Sequence, residues 1–272
     1  MFKTISGSLL AAIVLFLASC ETEWMEETLL SEIPVVEAYL FPGSTLQVVV
    51  TVPLPYSDDT TLVQESITGL KITLTRGSES FVLEESDSAG VYCYPVDDLL
   101  IESGYDYAIS FEYHDRMITA ATSIPSKPED FAISSDTLEL EQIEIDEFNP
   151  GFDDLVELSW SNTDDFNYYV QVEFLDSVKN LVNLNLDTTD LPKIVSSRPM
   201  VTDEYNLNPT QLYYYGSYRI VLFKVNEDFA DLYAISDISS ISLTNPITHI
   251  EGGYGIFTGM NADTLNLTVV QP

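Results

Sequence analysis

From Ile33 onward the chain is written in short runs in which apolar and polar residues alternate, each run closed by Gly, Pro, Ser or Asp. A period of two sends successive side chains to opposite faces of an extended backbone, so such runs predict half-buried β-strands. Val35-Val36-Glu37-Ala38-Tyr39-Leu40 stops at Pro42-Gly43, and Leu46-Gln47-Val48-Val49-Val50-Thr51-Val52 follows it until Pro53 and Pro55 intervene. Leu70 to Thr75 and Ser80 to Leu83 flank Gly77-Ser78 as a hairpin. Tyr105 to Tyr113 and Met117 to Thr122 make a second one about the turn Tyr113-His114-Asp115-Arg116. Six to eight strands spaced roughly ten residues apart, without a helical period, predict an antiparallel sandwich.

Ile124-Pro125-Ser126-Lys127-Pro128-Glu129-Asp130 interrupts this pattern, and prolines so close together favour an extended, semi-stiff linker. A second module is expected after it. Leu155 to Trp160 alternates, and Tyr168 to Phe174 returns past the polar turn Asn162 to Asp165, as in the core hairpin of a fibronectin-type sandwich with Trp160 at its centre. Ser177 to Thr210 has weak periodicity and reads as an insertion or irregular crossing. Asn226 to Ala234 is the one helical segment, with Asn226 as cap and Glu227 and Asp228 in the first turn. Thr264 to Val270 closes the sheet. The fold class is therefore all-β: two tandem immunoglobulin- or fibronectin-III-like sandwiches, over residues 33–125 and 126–272, with one short helix in the second.

Tyrosines at strand heads suggest a further device. Tyr107, soon after Ile101, suits a tyrosine corner, where the hydroxyl caps turn backbone, and an ordinary core tyrosine is the competing reading. In the second module Leu207-Asn208-Pro209-Thr210-Gln211-Leu212-Tyr213 has the spacing of such a corner at Tyr213, with Tyr218 competing for the role.

The first nineteen residues change the picture of where the protein lives. Lys3 precedes an uncharged run from Leu9 to Leu17, then Ala18-Ser19-Cys20. The run is far shorter than the ~20 residues that cross a bilayer, and small residues before a cysteine form a lipobox at the end of a signal peptide. Cys20 is the expected lipidation site, carrying a diacylglycerol and an amide-linked chain such as palmitate, since a single chain anchors only marginally. Residues 20–32 then form an acidic tether that includes Glu21, Glu23, Glu26 and Glu27. Acidic residues directly after the lipidated cysteine resemble the surface-export signal of Bacteroidota lipoproteins, and that resemblance implies a lipid-anchored place on the outer face of the outer membrane, at the cell surface.

Composition narrows the function by exclusion. The chain carries 44 acidic and 10 basic residues, a formal net charge of −34, which argues against a nucleic-acid partner and against a polybasic contact with anionic lipid. With 16 Tyr and 13 Phe it can still bury a large core. Cys93 is the only cysteine left once Cys20 is acylated, and between Tyr92 and Tyr94 it reads as a small buried hydrophobe. Two histidines, His114 and His249, leave little material for a catalytic triad. No zinc, P-loop or EF-hand motif appears, so the sequence assigns no catalytic residue, cofactor or metal and predicts no enzyme. The acidic groups Asp58-Asp59, Glu84-Glu85-Ser86-Asp87, Asp97-Asp98, Asp153-Asp154 and Asp164-Asp165 leave calcium across loop ends as an open alternative.

Asn245-Pro246-Ile247-Thr248-His249-Ile250-Glu251-Gly252-Gly253-Tyr254-Gly255-Ile256-Phe257-Thr258-Gly259 resembles the carboxy-terminal signature of a Bacteroidota lipoprotein family, the domain of unknown function DUF4249. That family typically ends in an N-I-x-G-G-x-G-x-F segment, and His249 stands where Asn is common. Val35 to Leu40, Gly104-Tyr105 with Tyr107, Ala120 to Pro125 and the Trp160 to Tyr169 stretch match in order. The resemblance implies a partner of TonB-dependent receptors, acting as an accessory or binding subunit of nutrient uptake. A structural or adhesive envelope module is the alternative. Gly252, Gly253, Gly255 and Phe257 carry the signature. Because no helix follows the glycines, they read as a bulged or tightly packed strand start rather than a phosphate loop.

Overall fold

The computed structural model describes residues 33–54, 63–96, 99–144, 156–187, 191–234 and 248–272. It is an all-β, sandwich-like molecule with one short helix. The first lobe contains β1 (Val35–Leu40), β2 (Gln47–Thr51), β3 (Ile72–Arg76), β4 (Glu79–Glu85), β5 (Val91–Cys93), β6 (Asp106–Tyr113) and β7 (Arg116–Ser123). The alternating runs behave as expected: in β1, Val36, Ala38 and Leu40 are buried while Glu37 and Tyr39 face outward. The β3–β4 and β6–β7 hairpins both form. His114 and Asp115 take φ of 47° and 60°, the pair of left-handed residues that a two-residue hairpin turn requires.

The second lobe contains β8 (Glu129–Ile133), β9 (Thr137–Glu139), β10 (Val156–Ser161), β11 (Asn167–Phe174), β12 (Asn180–Leu181), β13 (Ile194–Ser196), β14 (Glu204–Leu207) and β15 (Tyr214–Val225). A three-stranded layer, β14-β10-β8, packs on the layer that contains β13, β11 and β15. Two expectations change here. β10 and β11 are not a hydrogen-bonded hairpin: they lie in different layers, and Trp160 meets Tyr168 across the core with ring centroids 5.4 Å apart. Residues 177–210, expected as an insertion, supply β12, β13 and β14, and Leu207 at the end of β14 is fully buried. An apolar core between two layers rewards any short extended segment that can place one side chain in it, even where alternation is too brief to read.

The helix, α1 (Glu227–Ala234), follows β15, and the chain then ends in β16 (Tyr254–Val270), a strand of 17 residues. At roughly 3.3 Å per residue it spans about 55 Å, enough to run through both lobes. Tyr254 to Gly259 pair in parallel with β1, while Met260 to Val269 pair antiparallel with β15. Hydrogen bonding is therefore continuous along β13-β11-β15-β16-β1-β2-β5-β4-β3-β6-β7. The first lobe also curls back on itself, because Glu251, just ahead of β16, exchanges backbone hydrogen bonds of 2.8 and 3.1 Å with Thr119 of β7.

The proline linker is held down residue by residue. Asn261 of β16 donates to the Pro125 carbonyl at 2.9 Å, Lys224 Nζ lies 3.1 Å from Ser126 Oγ, and Lys127 pairs with Asp263 at 2.8 Å. Asn226 stands at the cap of α1, where its carbonyl accepts from the Phe229 and Ala230 amides, and its side-chain amide donates to Thr122 Oγ1 and the Ser123 carbonyl, at 3.0 and 2.9 Å. Where the prolines alone suggest a semi-stiff spacer, the packed structure replaces it with a bonded seam. Between the cores of the two lobes lies a third cluster, Val225, Phe229, Ile256 and Met260 with Phe41, Tyr169 and Phe223 against it.

Both tyrosine devices are present, with one reassignment. Tyr107 accepts a hydrogen bond from the Glu102 amide at 2.9 Å, as a corner should. In the second lobe the role falls to Tyr218, whose hydroxyl donates to the Tyr214 carbonyl at 2.7 Å and accepts from the Tyr214 amide at 2.9 Å. Tyr213 is only half-buried. The spacing that pointed to Tyr213 instead builds a 3-10 turn, Pro209–Gln211, capped by Asn208. Cys93, expected inside, is half-buried on β5.

Candidate functional site

Of the residues singled out by the sequence, Cys20 and the tether lie outside the described residues. The glycine-rich signature stands at the mouth of β16, between β1 and β7. Gly255 has φ of +104°, and a side-chain carbon there would fall 2.0 Å from the Val36 carbonyl oxygen. Gly252, at φ +76°, faces the Met117 carbonyl, and Gly253 lies against the Pro34 carbonyl. Glycine at these points lets two backbones approach more closely than any side chain would allow. Phe257 is 1% exposed and sits in the core of the first lobe.

The signature also forms one wall of an open groove of about 710 Å³. Thr248, His249 and Glu251 line one side, and Thr75, Ser110 and Thr119 line part of the other. His249 is positioned by α1: its Nε2 lies 3.1 Å from Asp231 Oδ2 and its Nδ1 3.4 Å from Asp228 Oδ1. Those carboxylates share one helix face, three residues apart, which is the spacing that stacks side chains over successive turns. Thr119 Oγ1 donates to Glu251 Oε2 at 3.0 Å, next to the backbone bridge that closes the lobe. The groove is rich in acceptors and open to solvent, a surface for binding donor-rich or cationic groups. The side-chain contacts of His249 are made to those two carboxylates. Among the described residues no group of three or more His, Cys, Asp or Glu is arranged to hold a metal ion.

The acidic pairs read as calcium candidates separate into two sets. Asp58-Asp59, Asp97-Asp98 and Asp153-Asp154 lie outside the described residues. Glu85 accepts hydrogen bonds from the Gly90 and Gly69 amides, both at 2.9 Å, and these hold its carboxyl below the usual range. Its oxygens serve the fold.

Sequence reasoning missed the aromatic cluster at the junction. Tyr169 stacks on Phe223 and Phe229, with centroids 4.5 and 5.3 Å away. Tyr39 meets Phe229 edge-on at 6.3 Å, and Phe41 meets Phe223 at 6.1 Å. Burial pushes the Tyr169 hydroxyl well above the ordinary tyrosine range. The outward residues of β1 gave the only hint: an exposed Tyr39 on an otherwise regular strand asks for a partner, and that partner comes from a helix nearly two hundred residues later.

The family model for the domain of unknown function DUF4249 matches residues 26–266, and the chain belongs to that family. No curated protein matches it. Among the described residues no helix is long and apolar enough to cross a membrane.

Proposed function

We propose that this DUF4249 chain is a non-enzymatic, lipid-anchored outer-membrane protein, exposed at the cell surface, that serves as an accessory binding subunit of a TonB-dependent nutrient uptake system. The observation that carries the reading is Leu17-Ala18-Ser19-Cys20 at the end of a short apolar run. A thiol at that position receives diacylglycerol, and further acyl chains make the attachment stable. The acidic tether behind it favours surface display. Two lobes fastened through one strand and a bonded linker support a docking or binding role, because a rigid body presents its grooves in a fixed relation to a partner.

The anchor is tested by Cys20→Ala. The variant is expected to fold normally and to leave the membrane fraction for the soluble one, and continued membrane anchorage would overturn the lipoprotein reading. Partnership is tested by capturing the tagged protein from detergent-solubilised outer membrane. A TonB-dependent receptor is expected in the eluate. Repeated capture without one, together with unchanged nutrient uptake in a deletion strain, would shift the assignment to a structural envelope module.

A further inference from the structure

Beside the linker, on the β15 side, lies a recessed cavity of about 100 Å³ lined by Ser126, Thr163, Tyr168 and Lys224, with Glu129 and Asp164 also in its wall. Lys224 is only 7% exposed. Its ammonium sits over the Phe166 ring, 4.2 Å from the centroid, and 5.9 Å from that of Tyr168. Its hydrogen-bond partner is Ser126 Oγ at 3.1 Å, and among the described residues no carboxylate lies within ion-pair distance of it. An ammonium has three donors, and a buried cation without an opposite charge is costly. The loop that brings Phe166 beneath it is fixed independently: Asn162 accepts from the Phe166 amide at 2.9 Å and donates to the Phe166 and Thr202 carbonyls. The aromatic floor is thus pre-set, and the ammonium is aimed into the cavity rather than neutralised by a neighbour.

The cavity is lined by charges of both signs. Glu129 and Asp164 are exposed and close enough to Tyr168 for both to raise its pKa electrostatically. A simple anion meets both carboxylates as well as Lys224, and a simple cation meets Lys224. A molecule with a carboxylate at one end and an ammonium at the other satisfies both. The volume equals roughly three water molecules at ~30 Å³ each, which suits the smallest such compounds. We propose that this cavity binds a small zwitterion of the free amino acid class, with its carboxylate on Lys224 and its ammonium toward Glu129 and Asp164. The assignment stands on the cavity and is independent of the transport reading.

Calorimetric titration of the full-length chain in detergent tests it, with glycine, L-alanine, acetate, ethylamine and L-phenylalanine as probes. Glycine and alanine should bind saturably at one site and raise the melting temperature. Acetate should bind roughly five- to tenfold more weakly, because it lacks the ammonium and meets two uncompensated carboxylates. Ethylamine and phenylalanine should not bind, the first for charge and the second for size. Lys224→Met should abolish glycine binding. Glu129→Gln with Asp164→Asn, two exposed changes that leave the core untouched, should erase the preference for glycine over acetate. Absence of glycine and alanine binding to the wild-type chain overturns the proposal. So does acetate binding as tightly as glycine, or a glycine preference that survives the double carboxylate change.

Discussion

The two halves of β16 belong to one strand and follow different rules. From Leu265 onward the strand alternates: Leu267 and Val269 are buried, while Asn266 and Thr268 face solvent. From Ile256 to Asn261 every residue is buried. The second half covers one face of a sheet, as an ordinary antiparallel strand does. The first half is enclosed on both faces, by the first-lobe core on one side and the junction cluster on the other, and is squeezed at its edges by the carbonyls of β1 and β7. Packing of that kind suppresses alternation and selects glycine where backbone meets backbone.

The strongest way to break this comparison is to put side chains into the first half. Gly255→Val requires a β-branched residue at φ +104° with a carbon where the Val36 carbonyl stands. The expected loss is about 3 kcal/mol or more, seen as a large fall in the calorimetric melting temperature. Leu267→Ala in the second half should cost about 2–4 kcal/mol through the cavity it leaves. Since β16 and the linker seam join both cores, each variant should still melt in one transition. Two separated transitions would show that the shared strand does not couple the lobes.

The tyrosine corners sharpen the contrast between lobes. Tyr218 serves both backbone groups of Tyr214 in a buried setting, whereas Tyr107 accepts one amide at a half-buried turn. Tyr218→Phe leaves two buried backbone groups short of a partner and should lower stability by about 2 kcal/mol, against about 1 kcal/mol for Tyr107→Phe. Equal urea midpoints for the two variants would remove the distinction.

Alkaline pH probes the buried tyrosines of both lobes, and the largest shifts lie in the second. Burial first, then the charges of Glu129 and Asp164, push Tyr168 from 10.0 up to about 12, and burial also raises Tyr218. In the unfolded chain these phenols release their protons near their ordinary value of about 10, while the folded chain retains them. The unfolded state therefore binds fewer protons over this window, and stability, fully present below about pH 10, falls as pH rises. Urea midpoints measured from about pH 9 to about pH 12 should decline, and Tyr168→Phe should flatten the decline. A slope unchanged in that variant would mean that Tyr168 ionises as freely folded as unfolded.

How much of this was legible depended on whether the signal was local. The hairpins of the first lobe could be read because alternation and turn residues sit within a few positions of each other. Tyr107 could be read because the backbone it serves is five residues away. The β1–β16 pairing could not, since nothing in Val35 to Leu40 names a strand more than two hundred residues later. The glycines of 252–255 announced a close approach without saying to what. Nor could the sequence distinguish Tyr213 from Tyr218, because the spacing Leu-x-Pro-x-x-x-Tyr fits a capped 3-10 turn as well as a corner. Trp160 could be read as a core residue, but adjacency in sequence suggests a hairpin with Tyr168 where the chain crosses between layers. At the groove, His249 was visible as a residue, and its partners Asp228 and Asp231 were visible only as the acidic face of a predicted helix.

The smallest expected effect tests the edge of the same seam. His249 links α1 to the segment that leads into β16, and its side chain is 43% exposed. A histidine between two carboxylates at 3.1 and 3.4 Å looks strong on paper. Water and salt nevertheless screen exposed pairs, so His249→Gln should cost less than about 1 kcal/mol, and any cost should shrink further at high ionic strength. Melting curves at low and high salt give the measurement. A loss comparable to that of Gly255→Val would mean that α1, rather than the glycine-lined backbone contact, holds the mouth of β16 in place. A small, salt-sensitive loss would assign the closure of the first lobe to the Thr119–Glu251 bridge and the carbonyl contacts of Gly255, leaving His249 and its two carboxylates free to serve the groove.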